Sequence, residues 1–450
     1  MRPDLAVCYG QERLPRYTSY PTAPHFTAAV DSAAYATWLE SIPQDATASL
    51  YLHIPFCRSM CWYCGCNTSV ARHDGPIEAY LPAIRREIEL VSRRVRHRIA
   101  VSHVHFGGGT PTILQPKAFA DLVALLRRSF EVRPDAEIAV EIDPRTLSGP
   151  MIEAMADSGV NRASIGVQSF DPAVQLAINR LQSFKETASA VDGLRRKGIC
   201  GVNVDLIYGL PHQTVASCVD TVLQCAELWP ERLSIFGYAH VPSFKPHQRM
   251  IAAESLPNGL ERYRQFEAMA AALHDLGYRR IGLDHFCLPD DPMNRAQEAG
   301  ALRRNFQGYT TDSAGVLLGF GASAISQMAE GYVQNDSAAR SYAACISAGE
   351  LAAVKGYALT DDDRLRRNII ERIMCDFGAD VGRICAAHGA SAENILQGSP
   401  RLRDLVANGV AVLDGTSLAV AEDARFLVRS VAAAFDAHLE GSAMRHSRAV

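Results

Sequence analysis

Between residues 50 and 238, short apolar runs alternate with segments whose apolar positions recur every three to four residues. The runs at 50–54, 101–106, 138–142, 163–167, 202–207 and 233–238 read as strands, because buried parallel strands are short and rich in Val, Ile and Leu. The segments at 77–95, 118–130, 183–197 and 217–228 have the spacing of amphipathic helices. Strand–helix alternation of this length predicts an α/β fold with a parallel sheet and its helices outside. Periodicity leaves two versions open, a partial (β/α)6 TIM-like barrel and an open doubly wound sheet.

The pattern is different at both ends. Residues 13–26 are broken by Pro15, Pro21 and Pro24 and predict no regular element. Beyond residue 350, Thr360-Asp361-Asp362-Asp363 reads as a capping box that opens a helix through Phe377. Residues 410–420 read as a hairpin with an Asp414-Gly415 turn, and 424–439 as a closing helix. The expected division is an N-terminal arm over 1–46, a catalytic barrel over 47–350, and a mostly helical, winged-helix-like C-terminal domain over 351–450 that acts as a substrate lid.

Composition changes this picture little. A net charge of −4 with 21% charged residues gives no reason to expect nucleic acid as a partner. No apolar run approaches membrane-span length, and Met1-Arg2-Pro3-Asp4-Leu5 lacks the apolar core of a signal peptide. Twelve cysteines without secretory signals point to a reducing compartment, so the chain is expected to be cytoplasmic.

The chemistry concentrates in Cys57-Arg58-Ser59-Met60-Cys61-Trp62-Tyr63-Cys64-Gly65-Cys66, directly after the first strand candidate. A structural zinc would need a second pair of Cys or His ligands, and none is spaced for it. Ferredoxin spacing does not match, and a Cys64–Cys66 disulfide is disfavoured by its one-residue gap. Three thiolates from one loop, Cys57, Cys61 and Cys64, suit three irons of a 4Fe–4S cube, with the fourth iron open to an outside ligand.

Other polar residues fall at the ends of successive strand candidates: Gly107-Gly108-Gly109, Glu141, Gln168, Asp205 and Ala239. In parallel α/β folds that rim is where ligands bind. The triple glycine has neither Walker nor dinucleotide spacing, and it allows a ligand close to bare backbone. Carboxylates such as Glu141 and Asp205 can take an ammonium group or hydroxyls, and an arginine such as Arg180 can take a carboxylate in two-pronged fashion.

The stretch from His53-Ile54-Pro55-Phe56-Cys57 to Cys66-Asn67 resembles the cluster loop of the radical S-adenosylmethionine (SAM) enzymes. More narrowly it resembles the bacterial oxygen-independent coproporphyrinogen III oxidases, whose loop carries the additional Cys-Gly-Cys-Asn. The likeness continues through Tyr17-Thr18-Ser19-Tyr20-Pro21, Gly107 to Pro111, Glu141 to Arg145, Gly166 to Phe170, Asp205 to Pro211, Ile281 to Phe286, Asn305 to Thr311 and Gly319 to Ser326.

The resemblance implies the partial barrel, a helical C-terminal domain and an arm close to the active site. It also implies a 4Fe–4S cluster and two molecules of SAM, the latter at Tyr51, Tyr63, Gly108, Gly109, Thr110, Glu141, Gln168, Arg180, Asp205, Ala239 and Ile325. The implied reaction is oxidative decarboxylation of two propionates of coproporphyrinogen III to vinyl groups, fed by a low-potential donor of flavodoxin or ferredoxin type. A monomer, no membrane and no nucleic acid complete the expectation. Arg303 and Arg304 are candidates to face the substrate's carboxylates.

A fourth cysteine ligand would close the open iron, so Cys66 is expected to be a catalytic non-ligand near the cosubstrates. Two alternatives share the scaffold: a haem-binding chaperone, which generally lacks the fourth loop cysteine and the arm, and a haem-degrading methyltransferase.

Overall fold

The computed structural model describes residues 2–10 and 12–439. Six strands follow one another in both chain and space: β1 (Thr47–Ile54), β2 (Ala100–Gly108), β3 (Glu131–Ile142), β4 (Arg162–Gln168), β5 (Gly201–Tyr208) and β6 (Arg232–Gly237). Each pairs in parallel with the next. In a doubly wound sheet the strand order reverses part-way across, and no reversal occurs here. The sheet is therefore singly wound, as in a partial barrel.

A seventh parallel strand, β7 (Val316–Phe320), flanks β1 on its other side. Antiparallel strands extend both edges: Ile325–Gln327, Gly331–Asn335 and Ala353–Ala358 beyond β7, and His285–Cys287 and Arg279–Ile281 beyond β6. Among the described residues the two edges do not pair, so the barrel stays open.

Helices Gly75–Arg94, Pro116–Ser129, Gly149–Asp157, Phe184–Arg196 and Val215–Ala226 connect the six strands. Phe184–Arg196 and Val215–Ala226 each open on a reciprocal capping box, Ser183 with Glu186 and Thr214 with Ser217. Gly149–Asp157, nine residues long, has no counterpart in the sequence reading. Its Ser148 cap and early Pro150 are start signals that its short apolar pattern left undeveloped.

Alternate strand residues take opposite faces. Leu50, Leu52, Ile54, Val104, Phe106, Val140, Val202 and Val204 are buried in the main apolar core with the helices. The intervening positions line a cavity of about 200 Å³ inside the sheet's curve, among them His105, Glu141, Ser164, Asn203, Asp205 and Ser234. The fold thus carries a polar lumen whose upper end is the rim of strand C-termini.

The C-terminal region begins with helix Asp361–Asp376, opened by the expected capping box: Asp363 N donates to Thr360 Oγ1 (3.1 Å), and Thr360 N to Asp363 Oδ2 (3.0 Å). A three-stranded sheet of Gly378–Asp380, Ser417–Val420 and Ala411–Asp414 joins three short helices. The hairpin turn is Gly415-Thr416, not Asp414-Gly415, because Asp414 itself pairs with Ser417; Gly415 takes φ +57° as the first loop residue.

The expected closing helix is also corrected. Residues 424–439 form 3-10 turns around one short α-helix, Val428–Ala432. Every position from Phe426 to Ala433 is buried, and Arg429 turns inward to donate to the carbonyls of Leu14 and Pro15, so packing and not a 3.6-residue period sets the path. Residues 440–450 of the expected lid lie outside the described residues. The arm is anchored to this region: Leu5, Leu14, Tyr17 and Tyr20 share an apolar cluster with Leu365, Ile369, Leu405 and Val431. No described helix is long and apolar enough to cross a membrane.

Candidate active site

The cysteine loop leaves the end of β1 and is tied at its base where Phe56–Cys57 pairs with Ser69–Val70. Its backbone is held from two sides. Trp62 N donates to Ile178 O (2.9 Å), and Asn179 Nδ2 to Met60 O (2.9 Å). On the other side Gln248 Nε2 donates to Tyr63 O (2.9 Å), His247 Nε2 to Cys64 O (2.7 Å) and Lys245 Nζ to Cys66 O (2.8 Å).

All twelve cysteines are free thiols. Thr110 Oγ1 donates to Cys57 Sγ at 3.4 Å, with Thr68 Oγ1 3.5 Å away on the same sulfur. Arg145 Nη2 and Arg180 Nη1 approach Cys61 Sγ at 3.7 and 3.6 Å. Cys66 sits beside Cys64. Their shared proton, outweighing burial, holds the Cys64 thiol down to about 6, with help from His247 and Lys245, and pushes Cys66 well up.

Among the described residues no three Cys, His, Asp or Glu side chains converge as they would around a single ion. Thiolates at separate corners of a cube do not converge either. Two guanidiniums and two hydroxyls directed at sulfur suit an anionic iron–sulfur centre, and the donor set fits the group.

The glycine turn closes over the loop. Gly109 N donates to Ile54 O and Thr110 N to Phe56 O. A Cβ on Gly109 would lie 2.5 Å from Phe56 O, and Gly108 at φ +111° would meet the His53 ring at 2.6 Å, so only glycine fits at both. Glu141 Oε2 accepts from Gly108 N (3.1 Å), and Oε1 faces His105 Nε2 (3.2 Å). Desolvation pushes the Glu141 carboxyl up, but the His105 bond and charge, the Gly108 N–H and His53 together leave it below the usual range.

Tyr51 stacks on His105, and its hydroxyl bonds His53 Nδ1 (3.0 Å), whose Nε2 donates to Asn67 O (2.9 Å). The result is a charged carboxylate beside open backbone, linked to the end of the cysteine loop by the Tyr51–His105 stack and the hydrogen bonds on either side of it.

Arg180 lies across from it. Its Nη2 donates to Gly166 O (2.6 Å), Nη1 lies 3.5 Å from Asp143 Oδ2, and Nε has no partner within the described structure. Asp143 is paired with Arg145 at 2.6 Å. Gln168 is buried beside Arg180 at φ +70°. Tyr63 packs with Val174, Ile178, Leu210, Tyr238 and Ile251, and Gln248 bridges Tyr63 O to Ala239 O (3.2 Å).

One residue departs from the expected rim. Asp205 lies three positions before the end of β5, because the strand runs on to Tyr208. It accepts from Ser164 Oγ (2.8 Å) and Asn203 Nδ2 (2.8 Å), and desolvation with the nearby Glu141 charge raises its carboxyl. Ile325 lies beyond β7, packed near Phe26, Phe306, Tyr332 and Leu359.

Arg303 pairs with Glu371 (2.9 Å), while Arg304 stacks on Tyr309 (4.3 Å to the ring centre) and donates to Arg16 O (3.3 Å). Both also line a cavity of about 210 Å³ together with the arm residues Tyr17 to Tyr20, and Nε and Nη1 of Arg304 have no hydrogen-bond partner among the described residues. Arg16 in turn donates to Gly237 O (2.8 Å), which ties the arm to the end of β6.

Sequence reasoning gave no role to His53, Asp143 and Arg145, although they lie in quoted motifs, and missed His105 and the trio Lys245, His247 and Gln248. His53 and His105 alternate with Tyr51 and Gly107 on the inward face of adjacent strands, a detectable signal. The trio sits in a loop with no pattern of its own.

The radical SAM superfamily model matches residues 51–225, from β1 into the helix Val215–Ala226. Over 450 residues, 100% of both chains, the sequence is 63% identical to the oxygen-independent coproporphyrinogen III oxidase of Bradyrhizobium diazoefficiens. The chain belongs to the oxygen-independent coproporphyrinogen III oxidase family.

Another family member, from Paracoccus denitrificans, is 41% identical over 440 residues, 97% of each chain. The solved coproporphyrinogen III oxidase of Escherichia coli, described as a radical SAM enzyme, superposes with a TM-score of 0.90 at 36% identity, covering 95% of this chain and 100% of that one. The present oxidase is accordingly a radical SAM oxidoreductase, with a 4Fe–4S cluster and SAM implied by its superfamily.

Proposed function

We propose that the rim of this oxidase, from the cysteine loop across to Arg180, is where coproporphyrinogen III loses two propionate carboxyl groups to become protoporphyrinogen IX in haem biosynthesis. Cys57, Cys61 and Cys64 would hold the cluster, with SAM as its outside ligand. Bound there, the cluster and SAM would supply the means to remove a hydrogen atom from a propionate side chain, carbon dioxide leaving and an electron acceptor taking the one remaining electron.

The chain's own residues bind, orient and exclude. Arg180 and Arg145 offset the negative charge gathered at Cys61. Glu141, kept ionised by His105 and Gly108, is set to receive an ammonium group on the backbone that the glycines leave bare. Two molecules of SAM are assigned to Tyr51, Tyr63, Gly108, Gly109, Thr110, Glu141, Gln168, Arg180 and Ala239 around the rim, with Asp205 in the lumen below it and Ile325 beyond β7. Cys66, exposed in the mouth beside Cys64, is a catalytic non-ligand.

The arm (1–46) and the C-terminal region (351–450) cover the barrel (47–350) and keep water and oxygen from the radical step, although strand Ala353–Ala358 pairs within the barrel's sheet. A small low-potential protein of flavodoxin or ferredoxin type delivers the electron, and the oxidase works as a cytoplasmic monomer.

The observation that carries this reading is the pairing of Cys61 with two guanidiniums beside a charged Glu141. Anaerobic titration of the iron-loaded protein with SAM tests it. Saturation at two molecules per chain, with a changed paramagnetic spectrum of the reduced cluster, is expected. A spectrum that SAM leaves untouched overturns it.

A further inference from the structure

Of the two arginines expected to face the substrate's carboxylates, Arg303 is exposed and paired with Glu371. Arg304 borders the cavity of about 210 Å³ beside the arm, and so does a further guanidinium, Arg367 of helix Asp361–Asp376. Nε and Nη1 of Arg304 and Nη1 of Arg367 are buried without a hydrogen-bond partner among the described residues. Arg304 Nη2 reaches a backbone carbonyl, Arg16 O (3.3 Å), and Arg367 lies beside the Tyr332 hydroxyl. Buried cations ordinarily carry a counter-charge, because little else offsets their lost hydration.

The acids nearby are already engaged. Glu371 holds Arg303 Nη1 (2.9 Å) and accepts from Arg304 N (3.3 Å). Asp312, also in the cavity wall, accepts from Ser49 Oγ, Ser102 Oγ and Ala314 N and faces His103 Nδ1 (3.2 Å). Asp284, whose charge Arg304 feels, is bonded to His285 Nδ1 (2.8 Å). Two guanidiniums are thus left beside a void with no carboxylate of the described residues at ion-pair distance.

The place of the cavity narrows the ligand. One wall is the hairpin of Arg303–Asn305 and Gly308–Thr310, tied to the β6 side of the open barrel where Leu283 N donates to Tyr309 OH (2.9 Å). Leu317 and Gln327, on the β7 side, form another, so the cavity sits at the gap between the two sheet edges. Thr310 lines both this cavity and the lumen. None of the described residues in its wall belongs to the cysteine loop or the glycine turn. At about 210 Å³ it is smaller than ordinary small-molecule pockets of about 300–1,000 Å³, and it suits one side arm of a larger molecule.

We propose that Arg304 and Arg367 bind a propionate carboxylate of the tetrapyrrole that the reaction leaves in place. The inference rests on the decarboxylation reading above and names the part of the substrate that this cavity holds. Coproporphyrinogen III keeps two of its four carboxylates. Those that react lie at the rim beside SAM, whereas a carboxylate in this cavity lies away from it. An anchor on a retained arm fixes which other propionates reach the rim, and orientation of that kind is what a radical step at one chosen carbon needs.

The test uses the full chain and two stable porphyrins: protoporphyrin IX, whose carboxylates are the retained ones, and its dimethyl ester, which lacks their charge. Binding is read by fluorescence titration. The parent should prefer the acid to the ester. Arg304→Gln and Arg367→Met should each cut that preference about tenfold or more, and Arg367→Lys should restore part of it, while iron content and SAM affinity stay as in the parent. Because the preference is a ratio of two ligands on one protein, a general loss of packing does not mimic its loss, and Arg367→Met decides alone if Arg304→Gln does not fold.

A preference unchanged in either folded variant overturns the pocket. So does weakening confined to coproporphyrin III, since the pocket would then hold a carboxylate that reacts. A parent that binds neither porphyrin contradicts the decarboxylation reading itself, and the pocket falls with it.

Discussion

Two carboxylates in this molecule meet opposite treatment, and the contrast separates the working region from the supporting one. Glu141 opens into the rim with 38% of its side chain accessible. Glu87, on helix Gly75–Arg94, is only 1% exposed. Desolvation pushes both carboxyls up. At the rim a histidine and its charge reverse the effect, and Glu141 stays ionised. Around Glu87 there are only neutral donors: Gly321 N (2.7 Å), Tyr342 OH (2.6 Å) and Asn335 Nδ2 (2.6 Å). Its carboxyl is pushed up to about 7.

Glu87 clamps the turn after β7. Next to it Tyr80 spans the same gap, donating to His53 O (3.0 Å) and accepting from Ala322 N (2.8 Å). A carboxylate kept charged and open is prepared for a cationic ligand, while one sealed among neutral donors fixes two elements in place.

The sharpest break between the regions is removal of a thiolate. Cys61→Ala should lose the iron–sulfur chromophore altogether while the apo-protein keeps its fold, read by iron analysis and circular dichroism. Next in size, Glu87→Ala should leave three buried donors unpaired and cost roughly 3 kcal/mol of stability, seen as a lower urea midpoint. Glu141→Gln should do the reverse, sparing stability and iron but weakening SAM binding by about 2 kcal/mol, roughly thirtyfold in an anaerobic titration. If Glu141→Gln unfolds the protein and Glu87→Ala weakens only SAM, the comparison is inverted.

A smaller effect lies in pH. Because the folded carboxyl of Glu87 titrates near 7 and the unfolded one near its ordinary 4.5, the unfolded chain releases its proton first. Glu87 therefore lowers stability progressively as pH rises from about 4.5 to about 7, and Glu87→Gln should flatten that part of the urea profile. The smallest effect is at the cap of the C-terminal helix, where Thr360→Ala should cost about 1 kcal/mol and leave SAM binding unchanged.

All six parallel strands could be read from the sequence, since each carries apolar side chains onto the helices at alternate positions. The distinction between a barrel and a doubly wound sheet could not, because local periodicity does not record which neighbour a strand pairs with. β7 also escaped. Its five residues, Val316–Phe320, run into Gly319 and Gly321, and the stretch reads as a glycine motif until β1 supplies its partner.

At the site, loop spacing singled out Cys57, Cys61 and Cys64 and strand position singled out Glu141, whereas Arg180 came only from the family resemblance, because a lone arginine after a helix reads as a surface charge. Asp205 was read at the end of its strand, whereas the strand runs on three residues to Tyr208. Arg145, although part of a noted motif, shows its use only where the fold brings it to Cys61. The same holds for Lys245 and His247, whose partners lie about 180 residues away in sequence.

The central claim is that this rim removes carboxyl groups by radical chemistry, and product mass spectrometry addresses it most directly. The anaerobic, iron-loaded oxidase is given coproporphyrinogen III, SAM and a low-potential reductant. The expected product has lost two carboxyl groups as carbon dioxide and carries two vinyls, with 5′-deoxyadenosine and methionine formed alongside. A tetrapyrrole that keeps all four carboxyl groups, or one that has gained a methyl group, would contradict it.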